Sequence, residues 1–466
     1  MAPDAAGIKA DGQARSRGEA GGRDPAFPYP EQKDMDIRPT PFRLALLSLA
    51  LLVAPLAAGA SAAVTPSAVA DGTLDPSFGS GGTIEPPLRE ARAVAIQPNG
   101  RIVVAGATSQ DRFGVARYLP DGSVDTTFGG GDGEALVWFK APPNGCFGGF
   151  NDVVLQPDAR IVATGVACGD VGVARFLPDG TPDPSFGQNG TVRTPVSKTG
   201  GRAEANAITL QLDGRIVMAG AQPGPRSNPA VVRYNADGTL DTAFHGDGTL
   251  VSNVPGSAYA TDVKVDELGR IWISGIEQVG TAHPAPMVAR YLPRGRLDPG
   301  FGVGGVAQVP GATLGIHAAL ALDGGGNAVV ASTFAKGFQL ARFDGSGALD
   351  PTFSDDGVAR SNITPGCCDR PLDLALQGDG RIVVSMSSTS GDGSQNLLGL
   401  ARYTTGGRLD PTFGDHGKVR TSFGDPDAAI FAGGLDLAPN GDVVAAGESL
   451  EHGRSVALMA RYLSRS

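Results

Sequence analysis

Three aspartates, Asp152, Asp262 and Asp373, stand at one recurring position of the chain, and a set of carboxylates gathered round an axis is chemistry that could hold a cation or a polar ligand. The same column carries Ala93, Ala207, Ala319 and Gly434 in its other copies, and the column before it carries Arg92, Asn151, Asn206 and Thr261. The other use for such carboxylates is to bond neighbouring backbone and channel water. That use is preferred, because side chains of inner strands partly face the adjacent sheets. Among the five histidines, His317 alone lies near the same strand, where it could serve as a base beside these acids. His245 and His416 fall in turns on the opposite side. No G-x-S-x-G, H-E-x-x-H, C-x-x-C or G-x(4)-G-K-[ST] occurs. Neither a metal nor a cofactor is expected. The acidic turns "HGDG", "SDDG" and "GDHG" lack the ligand series of a calcium loop, and the adjacent Cys367 and Cys368 lack zinc-ligand spacing.

The elements that must position these groups come from a repeat. Aligned on the phenylalanine of "LDPSFG"-like turns, the chain shows Phe78, Phe128, Phe186, Phe244, Phe301, Phe353 and Phe413, at steps of 50 to 60 residues. A "GRIVVAG"-like run and an A-R-[YF] run keep pace with it. A fixed period of this size marks a repeat architecture. Each copy holds four short runs of small and β-branched residues separated by Gly-rich turns, as in "ARAVAIQ", "RIVVAGA", "FGVARYL" and "GEALVWF". Four antiparallel strands per repeat is the blade of a β-propeller. The runs are apolar on consecutive positions because a blade is covered on both faces.

The paired motifs "DGRIVVSM" and "ARYLPDGSVDTTFG" resemble the delta-60 repeat family, a bacterial β-propeller family of unknown function, over about residues 71–463. The resemblance implies a seven-bladed propeller in a secreted or surface protein. It supplies no catalytic residues.

Each repeat carries an arginine in mid-strand and an aspartate a few residues on. The pairs are Arg117 with Asp125, Arg175 with Asp183, Arg233 with Asp241, Arg290 with Asp298, Arg342 with Asp350, Arg402 with Asp410 and Arg461 with Asp75. Seven copies serve architecture rather than a single site, so these are expected to be clamps that specify the turn. The first turn lacks a preceding A-R-Y strand and the last such strand lacks a following partner. Pairing of Gly82–Leu88 with Ala457–Leu463 therefore closes an all-β ring and covers two exposed edges.

With strands lettered A to D from the inside outward, the recurring A–B and C–D turns share one face of the disc, and the variable D–A and B–C loops share the other. Binding groups on rigid scaffolds concentrate in such loops. Candidates there are Phe147, Phe150, His283, Arg370 and Phe431, beside the axial Asp152, Asp262, Asp373 and His317. All four cysteines fall on that face. A bridge between Cys146 and Cys168 is geometrically plausible, whereas Cys367 and Cys368 could form a vicinal disulfide, stay reduced, or bridge to another chain.

The 466 residues include 69 glycines and 35 prolines, which demands many turns and argues against long helices. A net charge of −10 and the absence of a basic patch disfavour nucleic acid and anionic membranes as partners. Residues 35–62 read as a secretory signal. Arg38 and Arg43 precede an apolar run at Leu44–Ala54, and Ala60-Ser61-Ala62 offers a cleavage site. Residues 1–34 read as disordered or as a start placed too early, and 63–466 as one propeller domain. The expectation is a monomer, secreted or periplasmic, without a membrane span. It would act as a binding scaffold for a protein or glycan through the variable face. The alternatives are a hydrolase or lyase at the channel mouth and a purely structural surface component.

Overall fold

A computed structural model describes residues 70–110, 112–139, 148–196, 203–223, 227–278, 284–311, 317–335, 337–364, 369–389, 396–423 and 428–464. Seven four-stranded antiparallel sheets follow one another along the chain, with no helix among the described residues. Named by inner and outer strands, blade 1 runs from Glu90–Ile96 to Glu134–Val137 and blade 2 from Phe150–Leu155 to Thr191–Thr194. Blade 3 runs from Glu204–Leu210 to Thr249–Val251, and blade 4 from Ser257–Val265 to Val306–Gln308. Blade 5 runs from Ala318–Leu322 to Val358–Ser361, and blade 6 from Asp369–Leu376 to Lys418–Thr421.

Blade 7 joins the two ends of the propeller. Its strands Ala429–Leu437, Val443–Glu451 and Arg454–Tyr462 are completed by Thr83–Ile84, with Thr83 opposite Ala460 and Ile84 opposite Met459. The closing strand is shorter than the seven residues read from the sequence. Pro86 and Pro87 follow after Glu85 and have no amide to give to the ladder. Around it, the Asp75 amide donates to the Arg461 carbonyl at 2.9 Å and the Leu463 amide to the Thr73 carbonyl at 2.9 Å.

The apolar core is layered rather than central. Seven clusters of buried side chains each span one interface between neighbouring blades, such as Val115, Val137 and Phe139 against Phe150, Val153 and Phe176. This is why Ile102–Ala107 and Phe113–Tyr118 are buried at every position. The repeated phenylalanines, all 0% exposed, plug these interfaces at the turn face. A Cβ added at Gly122, Gly180, Gly238, Gly295 or Gly407 of the neighbouring turn would lie 2.8–3.0 Å from such a ring. The φ angles there, 78° to 88°, independently favour glycine.

Candidate functional site

The three axial aspartates lie in blades 2, 4 and 6, each just after a β-bulge in the inner strand. The bulge turns the carboxylate toward the next blade. Asp152 accepts the Val153 amide on Oδ1 and the Ile208 amide of blade 3 on Oδ2, both at 2.8 Å. Asp262 accepts the Val263 amide at 2.6 Å and the Leu320 amide of blade 5 at 2.8 Å. Asp373 accepts the Leu374 amide and the Leu435 amide of blade 7, both at 2.8 Å. Both oxygens of every carboxylate are therefore bonded to backbone, one across a blade interface. Bulge residues do the complementary work: Asn151 donates to the Ala205 carbonyl at 2.8 Å, Asn206 to Ala260 at 2.8 Å and Thr261 to Ala318 at 2.7 Å.

Two further residues complete the axial group, and the column reading passed over both. Lys264 follows Asp262 by two positions and donates to its Oδ1 at 2.8 Å. About a third of the lysine side chain, 34%, remains accessible, which places it along the channel rather than in packed core. Asp436 stands at the Lys264 column in blade 7 and accepts the Leu437 and Ile96 amides at 2.8 and 2.7 Å. The signal available in the sequence was a charge in a column otherwise holding Ala95, Val154, Thr209, Ala321 and Ala375.

The electrostatics follow from this crowding. Burial pushes Asp152 and Asp373 up to about 7, reinforced by the Asp262 charge and opposed by Lys264 and the backbone amides. Burial also raises Asp436. Burial alone would lower Lys264, but the charges of Asp262, Asp373 and Asp152 outweigh it and hold the ammonium above its ordinary value. His317, half-buried, is lowered by burial against the pull of Asp262 and a hydrogen bond with the Leu372 backbone. Among the described residues no group of His, Cys, Asp and Glu side chains is arranged to hold a metal ion.

At the opposite face, all seven arginine–aspartate pairs meet, Nε to Oδ2, at 2.7–2.9 Å. Each guanidinium also lies 4.5–4.9 Å from the centroid of its own blade's repeated phenylalanine. It then reaches the following blade. Arg233 donates to the Pro293 carbonyl at 2.6 Å and Arg342 to the Thr405 carbonyl at 2.7 Å, while Arg402 donates to Ser464 Oγ at 2.8 Å.

The loop-face candidates separate. Phe150 is not a surface contact: it is 0% exposed and packs edge-on against Phe113 and Phe176, because its side chain points into the interface with blade 1. Arg370 is exposed, and Phe431 is 36% exposed opposite Glu448. Phe147, His283, Cys146, Cys367 and Cys368 lie outside the described residues. Cys168 is exposed in a left-handed turn (φ 54°) and carries no free thiol.

Two features were not singled out from the sequence. Near the loop-face end, Glu448 of blade 7 lies within the electrostatic reach of Glu90 of blade 1. Burial and the Glu90 charge raise Glu448, and Arg89 and Arg92 pair with Glu90. On the outer rim, a cavity of about 530 Å³ runs beside the outer strand of blade 1 and the start of that of blade 2.

Four segments, 97–128, 156–186, 211–244 and 377–413, match a family model described as a domain of unknown function (DUF5122) beta-propeller. No curated protein matches. Among solved structures, the chain is similar to an ulvan lyase bound to a GlcA–Rha3S unit (10% identity, 85% of this chain and 94% of that one, TM-score 0.48). It is also similar to a putative gluconolactonase (14%, 67% and 89%, 0.35) and a mutant of AofleA from Arthrobotrys oligospora (12%, 76% and 95%, 0.39). The protein is a seven-bladed β-propeller, and four of its repeats match a propeller domain of unknown function.

Proposed function

We propose that the protein is an exported, non-catalytic binding scaffold of the delta-60 repeat type, monomeric, whose partner is a protein or glycan. The observation that carries this reading is the use made of the axial acids. A general acid or base must have an oxygen facing substrate, and each axial aspartate has both oxygens bonded to backbone amides. What varies around this framework is the loop-bearing face. On the same reading, residues 35–62 direct export and Cys146 pairs with Cys168 in an oxidising compartment. The test is a pull-down from culture supernatant and cell envelope, comparing wild type with a variant whose 276–286 and 386–397 segments are shortened. A partner retained equally by both would remove the loop face from the reading.

A second reading, a hydrolase or lyase at the channel mouth, has one observation in its favour: the Glu448 carboxyl, raised by burial and by the charge of Glu90, which Arg89 and Arg92 flank. It predicts turnover of an acidic polysaccharide that Glu448→Gln abolishes without lowering the Tm. Absence of turnover across such substrates removes it.

A further inference from the structure

The seven blades are built-in controls for one another, and blade 1 departs from the other six at its outer edge. An end strand presents unpaired backbone groups, and proteins normally protect it with charge or proline. Aligned by strand register, the position of Leu136 is occupied elsewhere by Arg193, Val251, Gln308, Arg360, Arg420 and Glu85. Two positions on, Trp138 stands where the others have Pro195, Asn253, Pro310, Asn362, Ser422 and Pro87. Three blades thus set an arginine and three a proline at these sites, whereas blade 1 sets a leucine and a tryptophan. Both are exposed, at 38% and 45%.

The surrounding surface is concave. The 530 Å³ cavity runs along Leu136–Phe139 on one side and Gln188–Arg193 of blade 2 on the other, on the face that Val137 and Phe139 turn toward blade 2, so it follows an edge of the blade 1 sheet that no described strand pairs. An arginine stands on each face of this edge in a protein of net charge −10. The Arg112 guanidinium lies 4.5 Å from the Trp138 ring centroid on the face that Leu136 turns toward Leu88, and exposed Arg193, within 3.3 Å of Asp170, lines the cavity on the other.

We propose that the outer edge of blade 1 is a docking site for an extended peptide segment of a partner protein. The segment adds as a fifth strand beside Glu134–Val137, sets an apolar side chain against Leu136 and Trp138 on one face of the sheet, and sets an acidic one toward Arg193 on the other. The edge supplies main-chain hydrogen bonds in one direction and the groove supplies alternate side-chain contacts, the recognition mode of strand addition. A peptide fits better than a sugar because the groove runs along a backbone edge rather than over the open indole face, one side of which carries Arg112. The inference rests on the binding-scaffold reading and gives it a surface and a ligand class.

The test pans the full propeller against a library of random twelve-residue peptides, then measures enriched peptides by fluorescence anisotropy on wild type, Leu136→Arg and Trp138→Ser. Both substitutions install residues that sibling blades carry at those positions, and an unchanged Tm verifies the fold. Enriched peptides with period-two apolar residues and an acid, weakened by about tenfold or more by either substitution, are expected. No enriched peptides, or peptides that bind Leu136→Arg as well as wild type, would overturn the proposal. If that indifferent binding were lost on shortening 276–286, the scaffold reading would stand while this site fell. Two other outcomes overturn it as well: binding of a neutral or acidic oligosaccharide that depends on Trp138 but not Leu136, and a dimer in sedimentation that Leu136→Arg dissociates.

Discussion

Arg117 shows how much one repeated side chain carries. It donates to Asp125, stacks on Phe128 and reaches the Pro178 carbonyl of the next blade, while Arg101 shares the same Asp125 oxygen at 2.9 Å. Asp125→Ala leaves two guanidinium groups without their anion, and Arg117 is a buried one. Removing one partner of a buried pair costs about 3–5 kcal/mol, so a drop of that order in urea-denaturation free energy is expected. A loss below 1 kcal/mol would show that the turn holds without its ion pair. The two faces respond to pH in opposite senses. At the clamp, burial raises Asp125, but hydrogen bonds from Thr127 and the Arg117 charge outweigh it, so its carboxyl lies below the usual 3.8. Its stabilisation is present above 3.8 and is lost as pH falls through the lower folded value. Asp152 and Asp373 are raised to about 7, so their contribution is complete below 3.8 and is lost as pH rises through about 7. From these groups, stability is therefore expected to be greatest near 3.8 and to decline as pH rises toward about 7. Lys264→Met removes the cation that opposes the upward shift, and its urea midpoint should fall more steeply than wild type between pH 5 and pH 8. Parallel curves would place Lys264 outside the axial balance.

At the scale of strands, sequence columns exposed some features and hid others. The clamp was legible because arginine, aspartate and phenylalanine recur in all seven copies at short fixed separations. The axial aspartates were legible as a column, yet their partners were not, since the amides they accept belong to the next blade about 56 residues on for Asp152. Lys264 escaped notice because one blade in seven carries it, so repetition gave no cue. Phe150 was misplaced for a related reason. At the start of an inner strand, one residue separates a side chain in the interface from one at the mouth, and the bulge between Phe150 and Asp152 changes that count. Leu136 and Trp138 align with Arg193 and Pro195 only once the ladders are known, because the preceding turns differ in length. The bulges make a prediction at this scale. Asn151→Ala deletes a bond to the Ala205 carbonyl and one accepted from the exposed Arg92 guanidinium at 2.6 Å. It should lower stability by roughly 1 kcal/mol, read as an unchanged m-value with a shifted midpoint. No shift would mean that the carbonyl finds another donor.

For the whole molecule, the number of blades and the closure were readable because the first and last repeats are each incomplete in a way that the other completes. The closing strand was read too long, through prolines that end it. Truncation to residue 90 removes Thr83–Ile84, Asp75 and Phe78 together, and with them the anion that faces Arg461 and the ring that plugs the interface between blades 7 and 1. The expected outcome is loss of the single cooperative melt and an increase in exposed apolar surface. A truncated protein melting like wild type would show that six interfaces suffice.

The cross-blade side-chain bonds described above share a rotational sense. Arg117, Asp152, Asn206, Thr261 and Asp436 each engage backbone of the blade that follows, and the last of these returns from blade 7 to blade 1. A ring joined this way by head-to-tail contacts has no privileged origin, since every junction uses the same handed fit and is indifferent to which covalent link happens to be cut. Joining the native termini with a short linker and reopening the chain at another connecting loop should therefore yield circular permutants with the same disc. The seam in blade 7 would then be one workable place for the polypeptide to begin, among several.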